Sequence, residues 1–167
     1  MIGRSSDLRA IQQLLASNRV VALTGLGGIG KTTLATEIGH AHHGQAWFVD
    51  LTAISEDDEV PGAIAEAVGS SGVEGAPLER IVDRLIGTDG LLIVDNCEHV
   101  IEGAARVASA LIDRLPGLRV LATSRESLRI RGEQVYPVAA LATDVDGAAI
   151  ELFRARAEAV RPGATAA

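Results

Sequence analysis

Eight consecutive residues, Gly25-Leu26-Gly27-Gly28-Ile29-Gly30-Lys31-Thr32, constrain this chain more than anything else in it. They match the pattern G-x-x-x-x-G-K-[ST]. Glycines let a backbone wrap closely around an anion so that successive N–H groups point inward. The helix expected to follow adds the positive end of its dipole. Lys31 supplies a mobile point charge for the β- and γ-phosphates of a nucleotide, and the Thr32 hydroxyl can ligate Mg²⁺. The bland alternative is a glycine-rich turn that happens to precede a lysine. Context argues against it, because the apolar run Val20-Val21-Ala22-Leu23-Thr24 reads as a strand before the loop and a helical pattern runs on to about His42. Lys31 is also the single lysine among 15 basic residues in a chain otherwise using arginine, as GC-rich bacterial genes do. A position that keeps lysine in that background invites a chemical reason.

Beyond the loop, short β-branched runs alternate with longer stretches at helical spacing. Leu8, Ile11, Leu14 and Leu15 predict a first helix within an N-terminal segment, 1–18, that precedes the core. Further strands are expected over 46–51, 91–95, 118–122 and 134–138. Pro61 suits the first turn of a short helix, and 69–75 reads as a loop. Leu78, Ile81, Val82, Leu85 and Ile86 mark another helix, and Val100 to Leu115 a longer one, stopped by Pro116-Gly117. Ile150, Phe153, Ala157 and Val160 suggest a last helix within 142–167. Continuous apolar runs belong to parallel strands covered on both faces, so the alternation predicts a doubly wound α/β domain with a mainly parallel, five-stranded sheet.

Three later positions carry chemistry. Leu91-Leu92-Ile93-Val94 delivers Asp95 at the carboxyl end of a strand, where an open parallel sheet borders its ligand crevice. There Asp95 can hold Mg²⁺ opposite Thr32; alternatively it caps the next helix, with Glu98 completing a box-like pattern. Position 96, where many hydrolysing relatives carry a second acid, is asparagine, so Glu98 is the nearest candidate to polarise an attacking water. A charge that merely favours the first helical turn explains Glu98 equally well. Arg125, after Val120-Leu121-Ala122-Thr123-Ser124, could read a γ-phosphate if its strand lies beside the phosphate loop; a surface arginine is the plain alternative. His40, His42 and His43 fall where a helix should end and suit its dipole rather than a metal. His99, beside the Asp95 turn, is a better site candidate than those three, Cys97 reads as a small packed residue, and Arg129 and Arg131 as a solvated loop.

Charge and composition exclude several classes. A formal charge of -7 opposes direct nucleic-acid binding by this segment. No apolar run reaches the roughly 18 to 20 residues of a membrane span, no leader-like apolar stretch follows Met1, and one cysteine makes no internal disulfide, all of which point to a cytoplasmic protein.

These pieces, in this order, resemble the nucleotide-binding domain of STAND signalling ATPases, related to NB-ARC and AAA+ modules, and among them bacterial regulators of the SARP and LuxR-like large-ATPase types. The matching stretches are Ile2-Gly3-Arg4, Thr24-Gly25 through Lys31-Thr32-Thr33, Trp47-Phe48-Val49-Asp50-Leu51, Leu92-Ile93-Val94-Asp95-Asn96-Cys97-Glu98-His99, Leu121-Ala122-Thr123-Ser124-Arg125-Glu126, and Val135-Tyr136-Pro137-Val138 with Leu141. The resemblance implies a P-loop NTPase fold, a three-layer α/β/α sandwich, with the Arg125 strand between the phosphate-loop and Asp95 strands. It implies a nucleotide site of Gly25, Gly27, Gly28, Ile29, Gly30, Lys31, Thr32 and Thr33, with Gly3 and Arg4 near adenine or ribose and Arg125 as sensor of the γ-phosphate. ATP, ADP and Mg²⁺ are the implied cofactors. Such proteins are similar to switches, in which ADP holds a silent form and ATP permits self-association. A shift from 1:99 to 99:1 needs about 5.5 kcal/mol of differential binding, more than one phosphate and an arginine supply unless other domains move. A lid, winged-helix and DNA-binding domain are expected in the parent chain and missing from this segment, which predicts weak affinity and slow hydrolysis. A small-molecule kinase and a nucleotide-stabilised interaction scaffold are the competing readings; the kinase would need an acceptor pocket in the stretch between Leu51 and Ala76, which contains no basic residue.

Overall fold

Short apolar runs, rich in β-branched and leucine residues in the three central strands, form five strands in the computed structural model, which describes residues 3–72 and 74–140. They are β1 (Val20–Thr24), β2 (Gln45–Asp50), β3 (Gly90–Asp95), β4 (Leu118–Ser124) and β5 (Glu133–Pro137), ordered β2-β3-β4-β1-β5. Every neighbouring pair is parallel. The sheet is thus entirely parallel, and β4 lies between β1 and β3 as the resemblance implies. The expected strand over 118–122 extends two residues further because Thr123 and Ser124 continue to pair with Leu23 and Thr24.

Helices cover both faces. On one side α1 (Ser5–Ser17) and α2 (Lys31–His40) pack Ile11, Leu15, Leu34 and Ile38 onto Val21, Leu23, Leu91, Ile93 and Leu121. On the other, α3 (Val60–Ala67), α4 (Pro77–Leu85) and α5 (Ile101–Arg114) bury Ile64, Ile81, Leu85 and Leu111 against Val49, Leu92, Val94, Val120 and Ala122. Alternate residues of β3 serve the two cores, so all six of its residues are buried. That explains its unbroken apolar run. The result is a three-layer α/β/α sandwich of P-loop NTPase type. Pro61 occupies the first turn of α3. The helix expected over 142–167 lies outside the described residues. No helix among the described residues is long and apolar enough to cross a membrane.

Candidate functional site

The carboxyl ends of β1, β3 and β4 place the chemistry-bearing residues together. Residues 25–30 leave β1 and curl into the start of α2. Gly25 adopts φ +150°, and a Cβ there would sit 3.0 Å from the Val138 carbonyl oxygen. Gly30 caps α2 in the left-handed region at φ 100° and offers no side-chain hydrogen bond. The first N–H groups of α2 therefore have no side-chain cap, which is how a helix start is left open to an anion.

Lys31 is only 7% exposed. Its ammonium donates to the carbonyls of Gly25, at 2.9 Å, and Leu26, at 3.1 Å. It spans the mouth of the loop and is held there by exchangeable partners. Thr32, next in the chain, donates its hydroxyl to the Asp95 carboxylate at 2.9–3.0 Å. Lys31, Thr32 and Asp95 thus form one contiguous group. Thr33 is exposed in the same first turn.

Asp95 is 1% exposed. It does not cap the turn after β3, whose leading residue Asn96 makes no side-chain cap. Instead it accepts from Thr32, from Thr123 and from the Asn96 amide at 3.2 Å. Asn96 stands at φ 62°, and its amide also reaches Thr52 Oγ1 at 2.8 Å and Asp50 Oδ1 at 3.3 Å. Hydrogen bonds from the Thr52 hydroxyl and amide, and from Asn96, hold the Asp50 carboxyl below its ordinary pKa. Asp50 and Thr52 are members of the site that the sequence reading passed over; the register Asp50↔Asp95 brings them in. A hydroxyl beside an ionisable carboxylate is a hard-oxygen donor set and fits Mg²⁺.

Arg125 extends from the end of β4 with its side chain 69% exposed. Its Nη2 lies 4.0 Å from the position a Cβ on Gly27 would take, so it reaches over the phosphate loop. Its Nε faces Glu98 Oε1 at 3.3 Å. Arg4 is 5% exposed and donates to Asp7, to the Ile29 carbonyl and to the Ala139 carbonyl, each at 2.8–2.9 Å. With those bonds made it braces the back of the loop; Gly3 beside it is exposed at φ 69°. His99 Nε2 meets two acceptors, the carbonyls of Leu51 and Ile54 at 2.9 and 2.7 Å, so this nitrogen carries a proton and staples the loop after β2. Burial, with Asp95 and Glu98 adding charge, pushes the Cys97 thiol up to about 12, as befits a packed residue. His40 closes α2, and among the described residues no group of three or more His, Cys, Asp and Glu is placed to hold a metal.

Set beside known proteins, the chain matches the family model described as the NB-ARC domain over residues 4–135. It is 39% identical over 160 residues to a Mycobacterium tuberculosis protein provisionally named an HTH-type transcriptional regulator, covering 94% of this chain and 18% of that one. A second M. tuberculosis protein, uncharacterised, is 34% identical over 168 residues, with 96% of this chain and 42% of that one covered. The chain therefore spans about a fifth of the first relative's length and about two fifths of the second's. Among solved structures it is similar to Cdc6p of Pyrobaculum aerophilum, with TM-score 0.68, 13% identity and 94% of this chain and 50% of that one covered. It also resembles a STAND protein with a tetratricopeptide-repeat sensor from Pyrococcus horikoshii, with TM-score 0.55, 18% identity, 99% of this chain and 26% of that one covered. At such identities the structural likenesses speak for the fold alone.

Proposed function

The chain belongs to the NB-ARC domain family, and from that premise we propose that it is the ATP/ADP-binding switch domain of a bacterial signalling or transcriptional regulator, with slow Mg²⁺-dependent ATP hydrolysis. The observation that carries the reading is the contiguous group of Lys31, Thr32 and Asp95 at the uncapped start of α2. Lys31, held by the Gly25 and Leu26 carbonyls, would exchange them for the β- and γ-phosphates of a bound nucleotide. Backbone N–H groups of residues 27–33 complete the cradle. Thr32 and Asp95 would hold Mg²⁺, which would neutralise phosphate charge. Arg125 reads the terminal phosphate from above Gly27, and that contact separates ATP from ADP. Glu98 and Asp50 are the nearby carboxylates able to orient water.

A kinase reading would need an acceptor pocket between Leu51 and Ala76. That stretch is occupied otherwise: Val60, Ile64 and Val68 are buried in the core, and Asp57 accepts from the Gly103 amide at 2.7 Å. The relatives' greater length supports the view that further domains of a parent chain, a lid and a DNA-reading module among them, complete the nucleotide enclosure and transmit the state. Calorimetry with MgATP and MgADP tests the reading. Lys31→Ala should weaken both nucleotides by about 30-fold or more, the loss expected for a charge-assisted contact of about 2–3 kcal/mol. Equal affinity in wild type and variant would overturn it.

A further inference from the structure

Glu98 is built into the site in a manner unlike its neighbours. Its Oε1 lies 3.3 Å from Arg125 Nε, while Oε2 is buried with no hydrogen-bond partner. Its side chain is 21% exposed against 69% for Arg125, so the acid is the fixed member of the pair and the arginine the one free to turn. The other end of the same guanidinium, Nη2, is the one that reaches over Gly27. Both members line an open depression of about 480 Å³ shared with Thr52, Asn96, His99 and Glu126. One cation thus faces two anion positions: a carboxylate already present, and the place above the phosphate loop where a terminal phosphate arrives.

We propose that Glu98 is the residue that sets the preference of this site between nucleoside diphosphate and triphosphate, by holding Arg125. The inference rests on the switch reading above. With a diphosphate, Arg125 keeps Glu98 as its anion and the pair is undisturbed. A triphosphate must share Arg125 with Glu98 or draw it off, and the half-buried carboxylate, whose Oε2 has no other partner, then loses part of its neutralisation. A ligand shifts an equilibrium only through interactions that differ between the two states, and the Glu98–Arg125 contact is such a difference confined to the triphosphate. A guanidinium engages phosphate through several parallel N–H bonds, so the exchange is feasible, at an affinity below what a free Arg125 would give.

Calorimetric affinities of the full chain for MgATP and MgADP, measured for Glu98→Gln, Glu98→Ala, Arg125→Ala and the Glu98→Gln/Arg125→Ala double variant, test this. Glu98→Gln should tighten ATP by about two- to fivefold, since an exposed ion pair with Arg125 is replaced by a neutral contact, and should leave ADP unchanged. Glu98→Ala should act in the same direction, guarding against an effect peculiar to the amide. Arg125→Ala should weaken ATP alone, and in that background Glu98→Gln should no longer tighten it. If Arg125→Ala weakens ATP but neither Glu98 variant changes the ATP/ADP ratio, the hold on Arg125 is disproved while the switch reading stands. If the full gain persists without Arg125, Glu98 acts by bare repulsion and the proposal fails. If Arg125→Ala changes neither nucleotide, the switch reading falls and this inference falls with it.

Discussion

A carboxylate that is 1% exposed persists only if its oxygens are satisfied, and Asp95 meets that condition with two hydroxyls and an amide. The two threonines differ in setting. Thr123 is fully buried and also accepts from the Asn96 amide N–H at 3.0 Å, locking the turn after β3. Thr32 is exposed at the start of α2, where the proposed nucleotide would bind. Replacing each hydroxyl by a methyl should therefore separate stability from binding. Thr123→Val should cost about 1–3 kcal/mol in urea unfolding, the penalty for buried groups left unsatisfied. Thr32→Val should change stability little and instead remove most of the Mg²⁺ dependence of nucleotide binding, read by calorimetry with and without the ion. A Thr32→Val variant whose affinity still rises fully with Mg²⁺ would take Thr32 out of the metal site.

At the scale of elements, what could be read from the sequence and what could not divide along physical lines. Most strands and helices were legible from local pattern: β3 is apolar on both faces since both are covered, α5 repeats its apolar positions at Ala104, Val107, Ala108 and Leu111, and Pro61 marks the start of α3. The phosphate loop was legible because its glycines and lysine are a local pattern. Contacts between segments distant in sequence left no such trace. Nothing in Asp50 or Thr52 announces that Asn96 will reach them, and nothing near Arg4 announces the Ile29 and Ala139 carbonyls. Gly103 shows the same limit. Within α5 a glycine is an apparent weakness, and Ala would raise helix propensity by up to about 1 kcal/mol. Yet a Cβ there would lie 2.8 Å from Asp57 Cα and 2.9 Å from its carbonyl carbon, both backbone atoms. The turn at 57–59 packs directly on α5 because that Cβ is missing. Gly103→Ala should accordingly destabilise, by about 1–3 kcal/mol for overpacking against a backbone that must shift, measured as a lower urea midpoint. A neutral or stabilising result would show that the turn moves aside freely.

For the described molecule as a whole, contacts tie α1 to β5 and to the phosphate loop. Asp7, in the first turn of α1, accepts from Arg4 through Oδ2 at 2.9 Å and from the Tyr136 hydroxyl through Oδ1 at 2.6 Å. Tyr136 belongs to β5, the edge strand beside β1, while Arg4 carries the tie onward to Ile29 in the phosphate loop. The start of α1, β5 and the phosphate loop are thereby linked through Arg4 and Asp7. Burial, then the hydrogen bond to Asp7 and its negative charge, push the Tyr136 hydroxyl up to about 12, with Arg4 opposing in part. An acid whose folded pKa exceeds its unfolded value of about 10 binds its proton more tightly in the folded state. Its stabilisation is therefore fully present below pH 10 and disappears as pH rises towards 12. Tyr136→Phe should lower stability by about 1 kcal/mol at neutral pH, the net worth of one such hydrogen bond. The gap between the two proteins should stay constant to about pH 10 and then close as the wild-type phenol ionises. Urea unfolding of both at pH 7, 9, 10.5 and 11.5 reads it directly, and a gap that widens with pH would mean that Tyr136 does not donate to Asp7.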